Sequence, residues 1–275
     1  MIKDKRILIT GGAGSIGSEL VRQLAPNNKI FILDINETET FLLRTEMNKK
    51  GFWVHSRTGD IRNKDTVYDV FSDFKPQIVI HAGALKHVTP NNEYPEEAFS
   101  TNINGTVNLV REAKNWECLE KFLFISTDKV VNAHCIMGIT KLCAESYVLL
   151  QGEKFLAVRF GNVMGSRGSV LEIWRKEFEN NEPLSITDTE MMRYFMSIEE
   201  ACKLVITALE ESNGAELRIL NMGPLRPLMD LKKELYGDYP INIIGIRNGE
   251  TYEEKLMTLE EQKRAIIKDN FYIIK

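Results

Sequence analysis

KRILITGGAGSIGSELVRQL, residues 5–24, decides the fold. Lys5–Thr10 is a short β-rich run, Gly11, Gly14 and Gly17 punctuate the turn behind it, and Ser18–Leu24 carries apolar residues at helical spacing. Strand, glycine-rich turn and helix in that order make the setting a dinucleotide fingerprint needs. The glycines allow a tight turn, close approach of backbone to a pyrophosphate, and packing of helix on strand. Ser15 and Ile16, between the last two glycines, lie where free N–H groups and the positive helix end meet phosphates. The stretch therefore predicts an α/β chain on a Rossmann-type, doubly wound parallel sheet.

Working outward, a second strand at Lys29–Leu33 closes on Asp34, 17 residues after Gly17. A carboxylate there accepts the ribose hydroxyls of NAD and repels a 2′-phosphate. Asn36 and Arg44 nearby leave NADP open, and Asp34 as a plain turn or cap residue is the bland alternative. A charged helix over 40–50 leads to a third strand, Trp53–Ser56, and then to Gly59, Asp60 and Ile61, with Asp60 placed for an adenine amino group. The fourth strand, Gln77–Ala82, runs into Ala82, Gly83 and Ala84, whose small side chains let a cofactor lie against the backbone. Lys86 reads as a phosphate or sugar ligand or as a solvated loop lysine. His87 reads as a substrate hydrogen-bond donor or as a cap, and no His or Cys spacing around it suits a metal. A helix over Glu96–Asn115 contains Asn102 and Asn104, poor helix formers whose presence implies a polar task such as a bound water or a backbone brace below the active site, and Asn102 is expected among the cofactor ligands.

The fifth strand, Lys121–Ile125, delivers Ser126, Thr127, Asp128 and Lys129 at its carboxyl end, and a following helical pattern carries Met137 and Lys141 back towards them. In open α/β sheets chemistry sits at the carboxyl ends of strands, so an acid and a base converging there would form a reaction centre. An Asp128–Lys129 surface pair is the structural alternative. A sixth strand, Phe155–Phe160, ends in a glycine-rich loop, 161–168, suited to holding substrate. Beyond it the alternation loosens: a helix at Val170–Phe178, short strands at Pro183–Thr187 and Arg193–Met196, a helix opened by a Ser197–Glu200 capping box and running to Glu211, a strand at Leu217–Met222, a helix at Leu228–Tyr236 and a strand at Ile241–Ile246. This divides the chain into a dinucleotide domain over 1–163, with return elements near 198–222, and a small interleaved substrate-binding lobe over 164–275.

Composition narrows the function. With 275 residues, 43% hydrophobic and 27% charged, the chain reads as an ordinary globular protein. No window approaches ~18 uninterrupted apolar residues, so no membrane span is expected and the expected location is cytoplasmic. Cys118, Cys135, Cys143 and Cys202 lack CxxC spacing and are expected to be reduced. A net charge of −4 argues against a nucleic-acid surface, while two or three local cations still suffice for a small anion.

TGGAGSIGSEL (10–20), HAGALKHV (81–88), TNINGT (101–106), STDK (126–129), VRFGNVMGSRGSV (158–170), MRYFMS (192–197) and GIRNGE (245–250) together make the chain resemble the extended short-chain dehydrogenase/reductases. Within them it is similar to the soluble, polysaccharide-biosynthesis UDP-N-acetylglucosamine 4,6-dehydratases of the 5-inverting kind. The resemblance implies an internal redox cycle on tightly bound NADP or NAD, regenerated each turnover: oxidation at sugar C4, loss of water across C5 and C6, and return of the hydride to C6. It also implies a UDP-sugar substrate, a rare-sugar or polysaccharide product and a homo-oligomer of two or more chains. The usual Tyr-x-x-x-Lys has Met137 in the tyrosine position, as in one subgroup of these enzymes; a thioether carries no ionisable proton. By this resemblance Lys129 is the C5 base, Asp128 the acid for the departing C6 hydroxyl, Thr127 the holder of the 4-hydroxyl, and Lys141 the partner of the nicotinamide ribose. Asn162, Arg193 and Arg247 would contact the nucleotide sugar, with Glu250 orienting Arg247 or binding a hydroxyl. The scheme asks for a lowered pKa at Lys129, by burial or by Lys141, and a raised one at Asp128. The base at O4 stays open among Asp128, Lys129 and a water relayed to Lys141. A nucleotide-sugar 4-epimerase and a non-catalytic dinucleotide-binding sensor are the competing readings.

Overall fold

The computed structural model describes residues 1–275. Nine strands form the main sheet: β1 (Arg6–Thr10), β2 (Lys29–Asp34), β3 (Val54–Thr58), β4 (Ile78–His81), β5 (Lys121–Ile125), β6 (Phe155–Arg159), β7 (Leu217–Leu220), β8 (Ile266–Lys268) and β9 (Phe271–Ile274). Their order is β8-β9-β7-β6-β5-β4-β1-β2-β3. β1 to β7 pair in parallel, while β9 runs antiparallel to β7 and β8 antiparallel to β9. Strands covered on both faces read as near-continuous apolar runs, which is why RILIT, IVIH and FLFI show no polar alternation. The winding reverses between β1 and β4, and a crevice opens at the carboxyl ends of such a pair.

Two differences from the sequence reading matter. The expected 96–115 helix is broken by a wider π-type turn, Phe99–Gly105, between Pro95–Ala98 and the regular helix Thr106–Asn115. Asn102 lies in that turn. The chain end also leaves the lobe: β8 and β9 extend the main sheet past β7, an addition the 164–275 lobe boundary omits. Phe271, Ile273 and Ile274 bury themselves there, but four residues of strand are too short a signal to separate from loop.

That return is anchored by Arg159 at the end of β6. Its guanidinium, fully buried, bonds Glu145, Glu261 and the Leu256 carbonyl. A buried charge must be paired, so the ion network fixes residues 256–261 against β6. A second, small core of Trp174, Leu184, Ile186, Met191 and Leu228 supports the lobe, where Leu184–Ile186 pairs in parallel with Ile241–Ile243. No helix is long and apolar enough to cross a membrane.

Candidate active site

The crevice is a cleft of about 1130 Å³ running from the glycine-rich turn across the ends of β5 and β6 into the lobe. Its floor at one end is bare backbone. Gly11 has φ +65°, and a Cβ there would stand 2.6 Å from Gly83 Cα; a Cβ on Gly17 would collide with the Gly11 carbonyl. The helix Ser15–Leu24 starts on Gly14 with no side-chain cap, so its first N–H groups face the cleft unpaired by any side chain. A turn stripped of side chains with open helix donors fits a dinucleotide diphosphate.

Gly11, Gly14, Ser15, Ile16, Gly17, Ala82 and Ala84 line the cleft, and Gly83 packs behind Gly11. Asp34 stands beside the turn, accepting N–H bonds from Ala13 (2.9 Å) and Asn36 (2.9 Å), while Asn36 caps the next helix through Glu39 N–H. Two expected cofactor ligands are occupied otherwise. Asp60 is held by the Arg62 backbone N–H and guanidinium at 2.8 and 2.7 Å, with buried Ile61 beside it. Asn102 spends its amide on Leu85 N–H, Leu85 C=O and Thr140 Oγ1. It braces the loop behind Ala84 from below, which is why an amide sits in a helix.

At the other end, Thr127 Oγ1 donates to Asp128 Oδ1 at 2.9 Å, and Lys129 Nζ lies 3.2 Å from the same oxygen. Lys129 also reaches Asn162 Oδ1 at 3.3 Å and Glu254 Oε1 at 2.8 Å. Sequence reading missed Glu254, which sits in the acidic run ETYEEKL and arrives by tertiary docking: Met192 N–H bonds the Tyr252 carbonyl, so 252–254 run beside Arg193. Arg193 points at this cluster, with Nε 3.5 Å from Glu254 Oε1 and Nη1 on the Met192 and Tyr252 carbonyls. Its donors are thus turned to the protein, unlike the nucleotide-sugar contact expected of it.

Burial pushes the Asp128 carboxyl up to about 7, with Lys129 opposing and Glu254 reinforcing the rise. Glu254 is drawn down to about 2, because Lys129, Asp128 and Arg193 outweigh its own burial. Burial would lower Lys129, but the Asp128 and Glu254 carboxylates outweigh it and hold the ammonium above its ordinary range. The lowered pKa expected of Lys129 is therefore corrected, because its second carboxylate was unseen. Lys141 is the lysine that burial lowers, to about 7, with Glu145 pulling the other way. Its Nζ donates to the Ile125 carbonyl at 2.6 Å over the Phe124 ring.

Met137 is buried on the cleft wall one helical turn before Lys141. Lys86 Nζ donates to the Arg167 carbonyl at 2.6 Å, and the His87 ring lies beneath Gly168 without capping the helix that follows it. Arg167, also missed, crosses to the glycine-rich turn through Ser15 Oγ and the Ala13 carbonyl. Arg247 is exposed; Glu250 accepts its backbone N–H and leaves the guanidinium uncommitted.

The sequence matches the family described as "Polysaccharide biosynthesis protein" over residues 7–275, and the chain belongs to that family. Relatives 40% identical over 276 and 278 residues are longer proteins, of which this chain spans 46%. It is 35% identical over 286 residues to the "UDP-N-acetylglucosamine 4,6-dehydratase (inverting)" of Campylobacter jejuni, covering all of this chain and 84% of that one. It is 32% identical over 293 residues to the "UDP-glucose 4-epimerase" of Rickettsia bellii, with the same coverage. The solved structure of Pen from Bacillus thuringiensis superimposes with a TM-score of 0.91 at 34% identity, covering 99% of this chain and 88% of that one.

Proposed function

We propose that this member of the polysaccharide biosynthesis protein family is an NAD(P)-dependent 4,6-dehydratase that oxidises C4 of UDP-N-acetylglucosamine, removes water across C5 and C6 and returns the hydride to C6, with inversion at C5. The observation that carries the reading is the Thr127-Asp128-Lys129 group at the end of β5, facing the same cleft as the glycine-rich turn, with Met137 where an epimerase of this fold would place an ionisable phenol.

Gly11 to Gly17 would hold the cofactor diphosphate, Asp34 and Asn36 the adenosine ribose, and Ala82, Ala84 and Lys141 the nicotinamide side. The bound cofactor supplies the oxidation at C4 and the closing reduction at C6. A carboxyl group poised at about 7 both accepts and gives protons near neutral pH, so Asp128 takes the proton of the 4-hydroxyl, steadied by Thr127, and later gives one to the departing C6 hydroxyl. Lys129 must first release its ammonium proton to solvent in the cleft; the neutral amine then takes the C5 proton, made acidic by the 4-ketone. Protonation of Asp128 removes one of the two negative charges that hold the ammonium proton, so the first transfer prepares the second. Arg247, uncommitted at the cleft edge, and Lys86 would meet the substrate diphosphate.

The second reading, a 4-epimerase, is favoured by the Rickettsia bellii relative. Incubation of the purified protein with UDP-N-acetylglucosamine separates the two. A 4-keto-6-deoxy product supports dehydration; accumulation of the 4-epimer with the C6 hydroxyl intact overturns it.

A further inference from the structure

We infer that Asp128 and Glu254 act as one proton-sharing carboxyl pair, with Glu254 a positioning residue that keeps Asp128 ready to exchange a proton with substrate. The use made of that proton rests on the dehydratase reading; the pair itself does not.

The geometry divides each carboxyl group into a satisfied and an orphaned oxygen. Lys129 Nζ contacts Asp128 Oδ1 and Glu254 Oε1, Thr127 adds its hydroxyl to Oδ1, and Arg193 Nε approaches Oε1. Asp128 Oδ2 and Glu254 Oε2 are buried with no hydrogen-bond partner at all. The two carboxyl groups share one ammonium, Lys129 Nζ standing 3.2 Å from Asp128 Oδ1 and 2.8 Å from Glu254 Oε1, which gathers them at one point. An unpaired buried carboxylate oxygen is costly, and two at once from adjacent groups doubly so. A single proton held between the groups gives each a partner, as in carboxylate dyads that titrate as a unit. The groups facing Asp128 are Lys129 beside it, Glu254 and Arg193 from the lobe side, and Tyr194, whose phenol is pushed up by burial first and by Tyr272 and Asp128 next. Among these, Glu254 is the group within reach that raises the proton affinity of Asp128 by charge and hydrogen bond together.

The test is a pH titration followed by carbon NMR of protein labelled at its aspartate carboxyl carbons, with Asp128→Asn to assign the signal. One aspartate should titrate near neutral pH in the unmodified protein. In Glu254→Gln, which keeps size but removes the charge and offers an N–H donor, that midpoint should fall by about one pH unit or more. Glu254→Asp, which keeps the charge, should restore most of the shift. The acid limb of kcat/KM should move to lower pH in Glu254→Gln in parallel. A near-neutral midpoint unchanged in Glu254→Gln would overturn the pair. If the midpoint moves as expected while UDP-N-acetylglucosamine is left unaltered, the pair stands and the dehydratase reading falls instead.

Discussion

Gly161 makes room for Asp128: a Cβ on residue 161 would stand 2.9 Å from Asp128 Oδ2 and 3.2 Å from Tyr194 Cβ. Real Cβ atoms essentially never come within 3.0 Å of another atom, so Gly161→Ala must displace the carboxylate. The expected outcome is a fall in kcat of at least about tenfold with the fold retained, because a shift near 1 Å in a group proposed to move the substrate's proton is costly. Melting and turnover measured side by side check it.

In the proposed reaction Asp128 must be ionised to take the 4-hydroxyl proton. Since its folded-state pKa is about 7, kcat/KM should fall as pH drops below about 7 and level off above it. Asp128→Asn should lose about 10²–10⁴-fold in kcat, the range for a lost acid–base group. A pH–rate profile on both proteins checks the limb and its disappearance.

Met137 lines the cleft but carries no proton to give. Met137→Leu conserves volume and apolarity, so kcat should change by less than about tenfold and the pH limb should not move. A large loss with a shifted limb would mean that the thioether helps to set the acid–base groups.

Lys141 gives a stability signature independent of activity. Its folded-state pKa of about 7 lies below its ordinary 10.5, so between those values the unfolded chain binds the extra proton. Stability contributed at this site therefore rises with pH from about 7 to about 10, by up to about 1.4 kcal/mol per unit. Lys141→Met should lack that slope, which urea melts at pH 7.5 and 9.5 would detect.

Much of this was legible in the chain. The strand-glycine-helix order of residues 5–24 determined β1 and its turn, and the polar cluster after Ile125 does line the cleft, because local chemistry governs both. What escaped was tertiary. Glu254 gives no local signal in an acidic loop; it gains meaning only when Arg159 anchors Leu256 and Glu261 and Met192 pairs with Tyr252. The same docking inverts the expectation for Lys129, whose proton is held by a carboxylate 125 positions away. Asn102 was legible as a polar oddity in a helix, but whether it faced the cofactor or braced Leu85 depended on which loop lay above it.

The most direct test of the account follows C5 of UDP-N-acetylglucosamine by NMR while the protein turns it over in deuterated water. The account predicts loss of the C6 hydroxyl, deuterium at C5, and a C5 coupling pattern of the inverted configuration. Retention of the C6 hydroxyl with no deuterium at C5, in protein shown to carry bound dinucleotide, would contradict it.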